Sequence, residues 1–244
     1  MNEYPIYLSP DDPLPLPRRF TSNPQFPDGL IAVTDSISPE RLIEAYHKGI
    51  FPWPSEDFPI LWWFTSPRMT LRPENMTIRR SLRKKIQQVL HNAEWEIKVD
   101  TAFEEVISSC ANSPRYGQNG TWITPEIRAN YIELSRQGIA HSVETWYRGE
   151  LVGGLYGINL GQMFYGESMF MKIADASKIA LAALCAKCIQ VQIPLIDCQQ
   201  ETNHLTSLGG QLMDKTSFLD TIEVLTTKPS PQWGFDKQVL AYWL

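Results

Sequence analysis

Leu195-Ile196-Asp197-Cys198-Gln199 sets an acid and an amide two residues apart in an apolar run. Side chains alternate along a strand, so a strand here puts Asp197 and Gln199 on one face. A carboxylate beside a neutral amide can hold and deprotonate an amine without a metal. A second acid, Glu167, sits in another apolar strand candidate, Gly166-Glu167-Ser168-Met169-Phe170. Polar groups in apolar strands carry a desolvation cost, and a reaction centre is one reason to bear it.

Two further features point to a polyanionic, base-bearing ligand. Arg79-Arg80-Ser81-Leu82-Arg83-Lys84-Lys85 holds five cations in seven residues, in a chain whose net charge is −5. On a helix, Arg80, Arg83 and Lys84 share a face. Such a run is either a solvated face or a phosphate-binding patch, and the acidic remainder of the chain favours the patch. Trp53 follows Phe51-Pro52 and Trp122 follows Gly120-Thr121, both at turns. Tryptophan is usually core, yet a loop indole also stacks a nucleobase.

Several classes are disfavoured. The overall acidity excludes a general polyanion binder. There is no stretch of 18 apolar residues and no apolar run behind a basic start, so the expectation is a cytoplasmic protein with no membrane partner. Cys185-x-x-Cys188 lacks a second Cys/His pair and lies mid-helix, so Cys110, Cys185, Cys188 and Cys198 are expected to be buried thiols. Gly153-Gly154-x-x-Gly157 opens no helix, which argues against a dinucleotide fingerprint. No Gly-x-Ser-x-Gly is present, and Ser168 and Ser177 have no evident histidine partner.

The positioning elements follow from proline content and periodicity. Thirteen of the 18 prolines precede residue 74, predicting an irregular or short-stranded N-terminal unit, 1–67, ahead of a larger unit, 68–244. Ser38-Pro39-Glu40 and Thr124-Pro125-Glu126 are helix starts, the first leading into Leu42, Ile43, Ala45 and Tyr46 and ending at Gly49. Helices are predicted over Thr77–Leu90, Thr101–Ala111, Thr124–Gln137 and Ser177–Gln190. Strands are predicted over Trp95–Val99, His141–Tyr147, Glu150–Asn159, Gln162–Phe170 and Pro194–Gln199. That order describes an α+β or α/β layer fold with a mainly antiparallel sheet.

Taken together, the strings resemble the bacterial leucyl/phenylalanyl-tRNA–protein transferases. They include Ala45-Tyr46-His47-Lys48-Gly49-Ile50-Phe51-Pro52-Trp53, Leu61-Trp62-Trp63, Gly120-Thr121-Trp122-Ile123-Thr124 and Leu151-Val152-Gly153-Gly154-Leu155-Tyr156-Gly157. Gly166-Glu167-Ser168-Met169-Phe170, Ile196-Asp197-Cys198-Gln199 and His204-x-x-Ser207-Leu208-Gly209 complete the series in family order. The resemblance implies a small N-terminal domain before a domain like the acetyltransferase superfamily. It implies transfer of leucine or phenylalanine, less readily methionine, from aminoacyl-tRNA to proteins beginning with arginine or lysine, which makes an N-end-rule degradation signal.

By the same resemblance the terminal adenosine falls to Trp53 and Trp122, and the aminoacyl side chain to Leu155, Phe164, Met169, Leu184 and Ile196. The catalytic group falls to Asp197 and Gln199, with Glu167 nearby. Leu184 stands where familiar members have phenylalanine. A change of that scale in an apolar pocket is worth about 1–3 kcal/mol, so class specificity is expected to survive.

The residues agree with this chemistry. The donor is an activated ester that mainly needs positioning against an amine, and an acid near the amine can take its proton, so no metal or nucleotide cofactor is expected. Asp197 is the expected proton acceptor and Glu167 the expected partner of the acceptor's cationic side chain, with the two roles exchangeable. The tRNA backbone falls to Arg79, Arg80, Arg83, Lys84 and Lys85. An acyl-CoA N-acetyltransferase is the rival enzyme. Its Gly-rich pyrophosphate loop is missing from Met171-Lys172-Ile173-Ala174-Asp175-Ala176. A non-catalytic RNA-binding module leaves Glu167, Asp197 and Gln199 without a role.

Overall fold

Short strands between prolines build the first of two sheets. A computed structural model describes residues 5–21, 23–54, 59–113 and 121–244. Ile6–Leu8 (β1), Leu30–Thr34 (β2), helix Pro39–His47 (α1), Phe51–Pro52 (β3) and Ile60–Trp63 (β4) come first, and the strands pair in the order β1-β2-β4-β3. Ser38 caps α1 by accepting from Arg41 N at 3.1 Å, with Pro39 in the first turn.

The second sheet begins at Arg68–Leu71 (β5). It continues through helix Arg80–His91 (α2), Trp95–Val99 (β6), helices Phe103–Asn112 (α3) and Pro125–Arg136 (α4), Ala140–Tyr147 (β7), Glu150–Leu160 (β8) and Met163–Met171 (β9). Helix Ala176–Gln190 (α5), Leu195–Asp197 (β10), helix Asn203–Ser207 (α6), Gln211–Met213 (β11) and helix Lys215–Leu225 (α7) complete it. The strand order is β11-β5-β10-β9-β8-β7-β6, antiparallel except for β9 beside β10. The α5 crossover makes that one parallel pair. The expected mixed, mainly antiparallel sheet with flanking helices is what forms.

Strand β8 feeds two cores. Leu151, Tyr156 and Ile158 join α1, α3, α4 and the small sheet, whereas Val152 and Leu155 face α5 and α2. The register slip that leaves Val152 unpaired with β7 reverses the alternation between Leu151 and Leu155. The first core also carries Ile31, Trp62 and Phe64 of the N-terminal residues against Tyr165 and Phe218. Helix α5 has buried residues on every side, and Trp243 Nε1 donates to its Ala182 carbonyl at 2.9 Å. Among the described residues no helix is long and apolar enough to cross a membrane.

Two features of the sheet open a site. β10 stops at Asp197, opposite Tyr165, while β9 runs on to Met171, so among the described residues the second half of β9 has no paired strand on that side. The β8–β9 register also slips: Tyr156 pairs with Ser168 and Gly157 with Gly166, leaving Glu167 as an extra, unpaired residue. Such a bulge re-aims its side chain. Gly157 allows the close packing there, since a Cβ would lie 2.2 Å from the Tyr165 carbonyl oxygen and 2.5 Å from the Phe164 ring.

Candidate active site

Two cavities meet where β9 and β10 part. One, of about 250 Å³, is lined by Phe51, Pro52, Trp53 and Trp122. The other, of about 210 Å³, is lined by Leu155, Met169, Leu181, Leu184 and Ile196. Glu167, Cys198 and Gln199 belong to the walls of both. Among the described residues Glu167 is the only carboxylate lining either one.

Helices α1 and α4 place the aromatic rim. α1 leads through β3 to Trp53, whose carbonyl accepts from Trp63 Nε1 at 3.3 Å and whose ring meets Trp63 edge-on at 6.3 Å. Trp122 precedes Thr124, which caps α4 by accepting from Ile127 N. Gly120 of that string lies outside the described residues. Both indoles are half-buried, with one side toward the cavity.

The same helices carry Tyr46 and Tyr131, both fully buried, to the back of Glu167. Tyr131 OH donates to Glu167 Oε2 at 3.1 Å, and the Tyr46 and Tyr131 hydroxyls hydrogen-bond each other. Gln199 Nε2 donates to Glu167 Oε1 at 3.2 Å. Desolvation pushes the Glu167 carboxyl up to about 7, against the pull of the two tyrosine hydroxyls, with Asp197 adding to the rise and Arg68 opposing it. Burial holds both phenols well above their usual range, so they remain donors.

Asp197 sits differently from the sequence expectation. The strand ends at Asp197, and Gln199 has a left-handed backbone with φ +55°, so the two do not share a strand face. Asp197 is instead fully buried in a bidentate pair with Arg68, at 2.8 Å from Nε and 2.7 Å from Nη2. Its Oδ1 also accepts from Gln199 N at 2.9 Å, which fixes the turn that presents Gln199. The Arg68 guanidinium lies against the rings of Phe51, Phe64 and Phe218 at 4.7 to 5.7 Å. Sequence reasoning missed Arg68. The available signal was a charged residue heading Arg68-Met69-Thr70-Leu71, a strand too apolar to hold an unpaired cation.

The remaining expected residues divide. Leu155, Met169, Leu184 and Ile196 come together in the apolar cavity. Phe164 does not line it: the ring is fully buried behind, packed over Gly157 and 5.4 Å from Trp233. Helix α2 begins at Arg80 rather than Thr77, and Thr77 N donates to the Leu208 carbonyl at 2.9 Å. Arg79, Arg80, Arg83 and Lys84 are exposed, whereas Lys85 lies 4.5 Å over the Trp95 ring. That Thr77–Leu208 bond ties the basic helix to the end of α6, whose His204 and Leu205 line the apolar cavity. Cys185 and Cys188 are buried in α5, their thiols raised by desolvation, and no cluster of metal-ligating side chains occurs among the described residues.

Residues 70–223 match the leucyl/phenylalanyl-tRNA protein transferase family model. This chain belongs to that family. Residues 35–66 match the model of the N-terminal domain of the same transferases. A leucyl/phenylalanyl-tRNA–protein transferase of Cupriavidus taiwanensis is 50% identical over 97% of this chain and 95% of its own length. The transferase of Cupriavidus pinatubonensis is 51% identical over the same shares. A solved GCN5-related N-acetyltransferase from Kribbella flavida, 10% identical over 75% of this chain and 64% of that one, has a TM-score of 0.34, too slight a likeness to carry weight. The chain is therefore an aminoacyltransferase enzyme of the leucyl/phenylalanyl-tRNA–protein transferase family, acting between an aminoacyl-tRNA and a protein acceptor.

Proposed function

We propose that this transferase moves leucine or phenylalanine, and less readily methionine, from aminoacyl-tRNA to the α-amine of proteins beginning with arginine or lysine. The product is an N-end-rule degradation signal, and a tRNA-borne donor fits a cytoplasmic enzyme. The observation that carries this is the junction itself: an indole-rimmed cavity and an aliphatic cavity joined at one carboxylate and one amide. Trp53 and Trp122 take the terminal adenosine, and Leu155, Met169, Leu184 and Ile196 take the side chain. A pocket with aliphatic and thioether walls suits leucine, phenylalanine and methionine alike. We divide the chain at 67/68, so that Phe51, Pro52 and Trp53 come from the N-terminal unit and the remaining walls from the larger one.

In this mechanism Glu167 takes the proton-accepting role expected of Asp197, and Asp197 touches neither substrate. Asp197 has no exposure and is committed to Arg68 and to Gln199 N, so it acts by positioning. Glu167 opens into both cavities with an affinity for protons matched to neutral pH. Gln199 orients the incoming amine, whose own pKa is near ~8. The neutral amine attacks the ester carbonyl carbon, and as the C–N bond forms its surplus proton passes to the Glu167 carboxylate. When the ester C–O bond breaks, that proton goes to the departing ribose oxygen, which restores the carboxylate.

The test uses purified protein, labelled Leu-tRNA or Phe-tRNA, and peptides differing only in the first residue. Transfer to Arg- and Lys-initiated peptides, with little to an Ala-initiated one, is the expected result. Equal labelling of all three peptides overturns the acceptor assignment.

The exposed face of α2 is assigned to the tRNA backbone. Replacing Arg80, Arg83 and Lys84 by alanine is expected to weaken binding of every tRNA alike and to flatten the salt slope by about 2–3. Use of aminoacyl-adenosine, too small to reach α2, should be unchanged. Parallel losses with both donors would instead indicate a damaged fold.

A further inference from the structure

Two tyrosines from different helices converge on one carboxylate behind the reaction centre. They are too deep to touch substrate, since neither has any exposed surface. We propose that Tyr131, supported by Tyr46, is a positioning residue that aims the Glu167 carboxylate and sets the pH at which the transferase acquires its proton acceptor. This rests on the reading of Glu167 as that acceptor.

The geometry carries the assignment. Glu167 is the extra residue of the bulge, so the sheet gives its side chain no fixed partner on the neighbouring strand. Tyr131 OH on Oε2 and Gln199 Nε2 on Oε1 hold the carboxylate from opposite oxygens. Tyr131 is fixed in turn by the Tyr46 hydroxyl and by its ring edge on Tyr156. Tyr46 is fixed by Tyr165, whose hydroxyl donates to the Tyr46 carbonyl at 2.8 Å and whose ring is tilted on it at 4.9 Å. Both hydroxyls act on Glu167, so they orient and polarise its carboxylate.

The groups that face Glu167 set the direction of the effect. They are Tyr46 from α1, Arg68 from β5, Tyr131 from α4, Tyr156 from β8 and Asp197 from β10, with Cys198 and His204 on the same cavity wall. Arg68 and Asp197 are locked together, so their opposed charges largely offset each other at Glu167. The tyrosine hydroxyls therefore provide the main pull toward the carboxylate form, against the desolvation that favours the acid. A hydrogen bond donated to a carboxylate favours the charged form, so its removal moves titration to higher pH.

The experiment compares kcat against pH at saturating Phe-tRNA and Arg-initiated peptide for the wild type, Tyr131→Phe, Tyr46→Phe and Glu167→Gln. Wild type should gain activity through about pH 7, following Glu167. Tyr131→Phe should carry that limb upward by about one pH unit, the worth of one hydrogen bond to a charged group. It should be about fivefold slower at pH 7 and close to wild type by about pH 9, with an unchanged KM for tRNA. Tyr46→Phe should move the limb in the same direction, and it serves if Tyr131→Phe folds poorly. A uniform fall in kcat with the limb unmoved in both tyrosine variants overturns the proposal. Persistence of the same limb in Glu167→Gln overturns the assignment of Glu167 itself.

Discussion

Glu167→Gln is expected to slow transfer by about 10²–10⁴-fold at neutral pH, the usual loss when a positioned acid-base group is removed. Glutamine keeps the size of the side chain and an oxygen for Tyr131 OH, so KM for the tRNA donor should barely move. The split between kcat and peptide KM decides between the two roles considered for this residue. A proton acceptor loses kcat; a partner of the acceptor's cationic side chain loses peptide affinity and keeps kcat. Stability gives an independent check. The carboxyl rises from 4.5 to about 7 on folding, so ionisation is disfavoured in the native state. Wild type therefore loses stability relative to the variant as pH climbs from about 4.5 through 7, with no difference below that window. Thermal unfolding of the two proteins at pH 4 and pH 8 measures it. An equally stable, fully active variant at pH 8 would remove Glu167 from the mechanism.

What was legible in the sequence was local. Ser38-Pro39-Glu40 and Thr124-Pro125-Glu126 carry their caps within four residues, and the structure places α1 and α4 one residue after each cap. Strands β6 to β9 are runs of five to eleven residues rich in apolar and aromatic side chains between turn signals, enough to be read directly, although only β6 alternates in burial. β5 was missed because its four residues are all buried and include an arginine, which no periodicity explains. Its charge is satisfied by Asp197, 129 residues away. The site was legible in the same uneven way. Trp53, Trp122, Glu167 and Gln199 could be singled out by type and setting. Tyr46 and Tyr131 looked like core, and they meet only across 85 residues of chain. The bulge at Glu167 belongs to a pairing between strands, and nothing within one strand announces it. For the same reason the shared strand face of Asp197 and Gln199 was a local inference defeated by a tertiary bond, because Arg68 holds Asp197 inward and Gln199 turns left-handed on its carboxylate.

The largest effect on folding should come from that pair. Arg68→Ala, or Asp197→Asn, leaves one fully buried charge without its counterpart, which typically costs about 3–5 kcal/mol. That is a large share of the roughly 5–15 kcal/mol that holds an ordinary domain together. The expected result is a sharp fall in denaturation midpoint for either single variant, with little soluble activity. The paired replacement Arg68→Met with Asp197→Leu separates structure from chemistry. Two apolar side chains among Phe51, Phe64 and Phe218 need no counter-charge, so most of the lost stability should return. Turnover should not return with it. Leucine offers no acceptor to Gln199 N, so the left-handed turn loses its anchor and the amide no longer sits on Glu167. A double variant that is stable, binds Phe-tRNA and transfers slowly identifies Asp197 as the brace for Gln199. One that regains full turnover shows that the turn holds itself, and that the buried pair serves the fold alone.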